Sequence, residues 1–194
     1  MKEGLINVFK FILAVALLPV VIAVTCGFFN ELPALQNFEH FFQAGLIAYV
    51  IIHLFVFTPE SLYQFGQRVL GEMVPLIFIG RVIPVVPLLL VLILYILETF
   101  FNFTDLKSYF VFFFAFTLAM HVIMTSQQLY DEDSSILKGH YLSTAGFVYV
   151  CNLALVAFLL HLNFPDFSFV DFWNTSFEKG KDIVLPIYDR IVKR

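Results

Sequence analysis

Long apolar runs constrain this chain more than any other feature, because a helix of about 20 apolar residues spans the hydrocarbon core of a bilayer. Hydrophobic residues make up 60% of the 194 residues and charged residues 13%, whereas soluble domains contain about 45–50% apolar and about 25% charged residues. We therefore predict an all-α, polytopic membrane bundle with about five transmembrane helices. The predicted spans are residues 11–29, 38–57, 77–98, 109–126 and 142–162.

Two further segments have the pattern of amphipathic helices. Residues 59–72 place apolar side chains on one side of a helix and polar side chains on the other, and the segment is too short and polar to span. The tail, residues 164–194, carries four aromatic residues at helical spacing. We predict that both segments lie in the membrane interface, so the chain divides into a transmembrane domain (1–163) and an amphipathic tail (164–194). The tail aromatic residues are Phe169, Phe172, Trp173 and Phe177.

Loop charges predict the orientation, because cytoplasmic loops of membrane proteins are enriched in Lys and Arg. With the N-terminus inside, most basic residues outside the tail fall on the cytoplasmic side, and only Lys107 falls in an outer loop. We predict a multi-pass protein of a plasma or inner membrane, with a cytoplasmic N-terminus and an outer C-terminus. Between the fourth and fifth spans, Asp133 or Ser134 is expected to cap the fifth helix.

One arginine, Arg81, interrupts the apolar stretch MVPLIFIGRVIPVVPLLLVLILYIL at residues 73–97. A charge in hydrocarbon costs a few kcal/mol, but an arginine one turn inside a span can extend its guanidinium back to the headgroups. We interpret Arg81 as an anchor of this kind. The alternative is that it pairs with a nearby carboxylate, from Glu60, Glu72 or residues 131–133, and lines a polar cavity.

Polar residues inside the predicted spans are candidate functional groups, although many only hold helices together. The first set lies toward the predicted outer leaflet, with one amide near the middle of the fifth span. We interpret these residues as groups that form hydrogen bonds between helices or contact water at the helix ends. The alternative is that they line a polar cavity. Its members are Glu39, His40, Gln43, Asn152 and His161.

Two histidines, His53 and His121, lie on predicted spans that run in the same direction, each five or six residues from the inner end. They should therefore lie at matching depth. Each can donate to a neighbouring helix, or the two together can ligate a haem b iron axially. No other pair of histidines in the chain is suited to haem.

The sequence contains no HExxH, no GxSxG and no glycine-rich phosphate loop, so it indicates neither an enzyme nor a metal site. A net charge of −4 argues against nucleic acid as a partner. The leading hypothesis is a non-catalytic membrane subunit or scaffold of a larger membrane or envelope complex, in contact with lipid and other subunits and without a cofactor. Alternatives are a small b-haem or other electron-transfer protein that uses His53 and His121, and a small transporter or channel with a cavity near Arg81 and His121.

Overall fold

The computed structural model of the chain describes residues 2–55, 63, 64, 68, 82–101, 106–133 and 139–192. Within these residues every regular element is a helix and no strand occurs, which confirms the all-α prediction. A short 3₁₀ helix, Leu32–Phe38, joins the first two α-helices. The α-helices are α1 (Lys2–Glu31), α2 (Glu39–Phe55), α3 (Val85–Phe101), α4 (Lys107–Glu132), α5 (Gly139–Asn163) and α6 (Phe169–Val192).

Three helical stretches in the described part of the chain are long and apolar enough to cross a membrane: Leu5–Phe55, Lys107–Glu132 and Gly139–Asn163. The first has 51 residues and is interrupted at Gln36, whose φ of 54° and ψ of −119° are not helical. The interruption separates α1 from α2. These lengths and compositions support the prediction of a membrane protein.

The helix α3 begins later than the predicted span 77–98. Residues 77–81 lie outside the described residues, and Pro84 directly precedes the helix, with its carbonyl accepting the Leu88 N–H at 3.1 Å. Pro87 then falls in the first turn, where a helix needs no N–H donor. Val82 is also helical, so Pro84 interrupts the helical path and α3 starts directly after it at Val85. Its 17 residues extend about 26 Å at 1.5 Å per residue.

The described helices form two compact units, one made from Met1–Leu35 with Gln128–Arg194 and the other from Gln36–Gln127. In the first unit, α1 and α5 run parallel. Gly139 at the start of α5 lies against the backbone of Phe11, and further along both helices the Tyr149 and Thr25 hydroxyls are 3.1 Å apart.

The tail helix α6 packs on the other side of α1 and runs antiparallel to it. Its first part lies at the carboxyl end of α1, where Ser176 contacts Gly27, and Gly180 then lies beside Ala23 further back along α1. The tail is thus helical as predicted, but α6 follows the axis of α1. If α1 crosses a membrane, α6 is directed along the membrane normal and not in the plane of the interface.

In the second unit, α2 and α4 run parallel. Gly45 of α2 contacts Ala115 of α4. Further along both helices, the His53 ring is 3.2 Å from the Gln127 amide nitrogen. A side chain at Gly45 would overlap the carbonyl oxygen of Phe112. Glycine at this position therefore allows the two helices to approach closely.

The helix α3 runs antiparallel to α4 in the same unit. At one end Val86 packs beside the buried Met120, and at the other Lys107 forms an ion pair with Glu98 at 3.4 Å. The three helices of this unit therefore alternate in direction along the chain.

The start of α5 is capped as predicted. The buried carboxylate of Asp133 accepts a hydrogen bond from the Tyr141 backbone N–H at 2.9 Å. This bond satisfies one of the N–H groups that have no partner within the first turn of a helix. The prediction that Asp133 or Ser134 caps this helix is confirmed for Asp133, whereas Ser134 lies outside the described residues.

Candidate functional site

A polar cluster lies among the apolar side chains of the second unit, and it includes both histidines of the predicted haem pair. Two residues come from α2, three from α4 and one from the stretch between α2 and α3. Those from α2, and two of those from α4, are four residues apart, so each pair lies on one face of its helix. The cluster consists of Tyr49, His53, Tyr63, His121, Thr125 and Gln127.

His53, which is half-buried, uses both of its ring nitrogens. Nε2 is 3.2 Å from the amide nitrogen of Gln127, and this nitrogen only donates, so Nε2 accepts. In the neutral imidazole the proton is then on Nδ1, which is 3.4 Å from the Tyr49 hydroxyl. The Tyr49 ring also stacks on the imidazole at 5.6 Å. His53 thus joins α2 to α4.

His121 is 4% exposed and lies beside Tyr63, with ring centroids 6.0 Å apart. The Tyr63 hydroxyl is 3.0 Å from the hydroxyl of the buried Thr125, one turn further along α4. Met120 and Met124 fill the surrounding space. Tyr63 is therefore held against α4 by a buried hydrogen bond and by contacts with a histidine and two methionines.

In the described part of the chain both histidines are packed against protein side chains, and haem binding stays a prediction. Axial ligation needs a ring nitrogen from each histidine and room for the porphyrin between them. The ring nitrogens of His53 already face Tyr49 and Gln127, and the cavity beside His121 has a volume of only about 10 Å³. The described side chains would have to rearrange before iron could bind both histidines.

Glu39, His40 and Gln43 lie at the start of α2 and precede the two α2 residues of the polar cluster. The Gln43 amide donates to the Glu39 carboxylate at 2.8 Å within the helix, as the spacing of four residues allows. His40 is exposed. Arg81, for which an anchor or a cavity position was predicted, lies outside the described residues.

Asn152 and His161 belong to the first unit. His161 donates from Nδ1 to the backbone carbonyl of Phe167 at 2.8 Å, because a carbonyl oxygen only accepts. This bond fixes the turn between α5 and α6. The predicted outer set is thus divided between the two units, and the prediction of one common seam or cavity stays a prediction.

Asn152 is fully buried on α5. Its amide nitrogen donates to the Val148 carbonyl of the same helix at 2.9 Å, and its Oδ1 has no hydrogen-bond partner among the described groups. Within the described residues, Asn152 therefore forms no hydrogen bond to another helix, and its predicted role as a link between helices stays a prediction. Its buried oxygen instead carries an uncompensated desolvation cost.

Sequence reasoning missed Tyr63 and Thr125. Thr125 could have been found, since Thr117, His121 and Thr125 recur every four residues and form a polar stripe on an otherwise apolar helix. All three are buried. Tyr63 had no comparable signal, because it lies within the segment 59–72 that was predicted to lie in the interface.

The described residues do not assemble metal ligands: no three His, Cys, Asp or Glu side chains among them lie close enough together to hold an ion. Chemically, the polar cluster can join helices and position Tyr63. No protein-family model, curated protein sequence or solved structure matches this chain.

Proposed function

We propose that the chain is a non-catalytic membrane subunit or scaffold of a larger complex, crossing the bilayer five times through α1 to α5. The helix directions within each unit support five crossings. Because α1 and α5 are parallel, the chain between them must cross an odd number of times. In the other unit α2, α3 and α4 alternate in direction, which accounts for three crossings. The proposed orientation places the N-terminus in the cytoplasm and the start of α6 outside. Because the 24 residues of α6 run back along α1, the proposal places the end of α6 toward the cytoplasmic side, in place of the outer C-terminus predicted from the loop charges.

The observation that carries the proposal is the acidic face of α6. Three carboxylates follow one another at spacings of seven and four residues, so they lie on one face of the helix, and all three are exposed. The opposite face of α6 is held against α1. The acidic face is formed by Asp171, Glu178 and Asp182.

Lipid tails cannot solvate such a face. A carboxylate at the centre of a membrane helix costs a few kcal/mol, and α6 runs back along the apolar part of α1. A basic surface of another subunit would compensate these charges, as electrostatic complementarity does at other interfaces. We therefore expect the partner to present Lys and Arg to α6.

The polar cluster favours a role as a scaffold over a role as an enzyme. Its groups bind one another across α2, α4 and Tyr63, and its adjoining cavity of about 10 Å³ is far below the roughly 300–1,000 Å³ of small-molecule sites. The two alternatives, a b-haem protein and a small transporter or channel, gain no supporting observation from the described residues. Both remain untested predictions.

Gentle extraction of the full chain from its native membrane tests the proposal. We expect the wild-type protein to elute with stoichiometric partner proteins. The amount of partner protein that elutes with the double variant Glu178→Lys/Asp182→Lys should be at least tenfold lower. Lys179→Gln, on the flank of the same helix, is the matched control and should retain the partners. A wild-type chain that elutes without partners and is functional by itself would refute the proposal.

A further inference from the structure

An apolar groove of about 380 Å³ runs between α1 and α6 in the first unit. Its walls are formed by Pro19 and Val20 of α1 and by Phe177 and Val184 of α6. Three of these side chains remain largely exposed: Val20 at 47%, Phe177 at 64% and Val184 at 47%. The groove is therefore an open apolar surface on a chain that is already predicted to lie in lipid.

Gly180 forms part of the groove floor. An added Cβ at this position would meet only the Ala23 side chain, at an ordinary contact distance of 3.6 Å. The groove is thus open because this residue has no side chain, and the backbones on either side are not forced together here. A larger side chain at Gly180 would extend into the groove that this residue lines.

A single cation, Lys181, lies among the described lining residues of the groove. Its ammonium nitrogen is 4.3 Å from the centre of the Phe177 ring, one turn closer to the start of α6. Side chains on a helix point toward its N-terminus, and the start of α6 lies beside Phe28 near the end of α1. Lys181 is therefore directed from the groove toward the membrane surface at which α1 ends.

We propose that this groove holds one acyl chain of an anionic phospholipid, with the lipid phosphate against Lys181. The apolar walls match the acyl chain, and the ammonium at the surface end of the groove matches the phosphate. No described carboxylate forms an ion pair with Lys181, so its charge is available to a ligand. This inference goes beyond the proposed function, because the acidic face of α6 and the groove lie on different sides of the helix.

The same observations argue against a helix as the occupant. An α-helix with its side chains is about 10–12 Å wide, and an apolar helix laid over the groove would cover Lys181 without supplying an opposite charge. Burying an ammonium without a partner is costly. A lipid supplies both the apolar chain and the compensating anion in one molecule.

Native mass spectrometry of the full chain in mild detergent, with phosphatidylglycerol or phosphatidylcholine added, tests the proposal. We expect one bound phosphatidylglycerol per chain and weaker binding of phosphatidylcholine. Lys181→Gln should weaken phosphatidylglycerol binding about fivefold, which corresponds to about 1 kcal/mol for one Lys–lipid interaction. Phosphatidylcholine binding should change little, because the acyl contacts remain.

Two matched pairs of variants distinguish this site from other surfaces. Gly180→Leu should abolish retention of both lipids, whereas Gly180→Ala should preserve it. Lys179→Gln removes the same charge from the other flank of α6 and should leave binding unchanged. Equal binding of phosphatidylglycerol by Lys181→Gln and the wild type would overturn the proposal. So would a lipid-free dimer that Gly180→Leu dissociates, since a second copy would then occupy the groove. These outcomes are independent of whether partner subunits co-purify.

Discussion

Substituting alanine for Gly27 should separate α1 from α6. A Cβ at Gly27 would overlap the Ser176 hydroxyl and approach the Phe172 carbonyl oxygen to 2.9 Å. The hydroxyl cannot easily move away, because it donates to the same Phe172 carbonyl at 2.7 Å. The carbonyl belongs to the backbone of α6, so the helix itself would have to shift. Overpacking of this kind costs about 1–3 kcal/mol.

Gly180→Ala is the matched control on the facing helix. Both substitutions gain up to about 1 kcal/mol from the higher helix propensity of alanine, but the new Cβ at Gly180 meets only an ordinary contact. Gly180→Ala should therefore be neutral or stabilising. The propensity gain cancels in the comparison, so the variants should differ by the packing cost alone, about 1–3 kcal/mol.

Unfolding of both variants in mixed micelles by added dodecyl sulfate, followed by circular dichroism, would measure this difference. The wild type supplies the reference for each. If the free energies of unfolding of the two variants agreed within about 0.5 kcal/mol, smaller than the packing cost of overfilled sites, α6 would not pack against α1 at Gly27 as described.

Three other substitutions test individual contacts by the same unfolding measurement. Asp133→Ala should cost about 1 kcal/mol as a lost helix cap, whereas Asp131→Ala, at an exposed position nearby, should have little effect; equal costs would exclude the cap. Asn152→Leu should be neutral or stabilising, because it removes a buried oxygen with a desolvation cost of about 1–3 kcal/mol; a clear loss of stability would reveal a partner for Oδ1. His121→Ala should cost about 2 kcal/mol or more, as truncations of buried side chains do, and exceed the cost of His53→Ala at its half-buried position; the reverse order would contradict the packing around Tyr63.

Run length and hydrophobicity were sufficient to predict most of the helices, because a helix must satisfy its own backbone in an apolar medium. The described helices α1, α2, α4 and α5 overlap the predicted spans 11–29, 38–57, 109–126 and 142–162, and α1 and α4 extend several residues further. That each of them crosses a membrane stays a prediction. Within the described residues α3 starts at Val85, because prolines at positions 84 and 87 favour the beginning of a helix as well as a kink.

The arrangement of α6 could not be predicted in the same way. Its composition indicates an amphipathic helix, but its position depends on close approaches at Gly27 and Gly180, and no local pattern specifies which helices approach each other. For the polar cluster, the sequence identified His53 and His121, and their common depth stays a prediction. It could not identify Gln127 and Tyr63 as their neighbours, because those contacts join residues that are distant in the chain.

The position of the C-terminus tests the proposed arrangement most directly, since α6 runs back along α1 and should bring its end to the cytoplasmic side. Reporters of membrane side fused after Asp105, after Asp133 and after Arg194 would locate the two loops and the tail. We expect an outer signal at Asp105 and cytoplasmic signals at Asp133 and Arg194. An outer signal at Arg194, with the other two as expected, would show that α6 does not follow α1 through the membrane and would contradict the proposed arrangement.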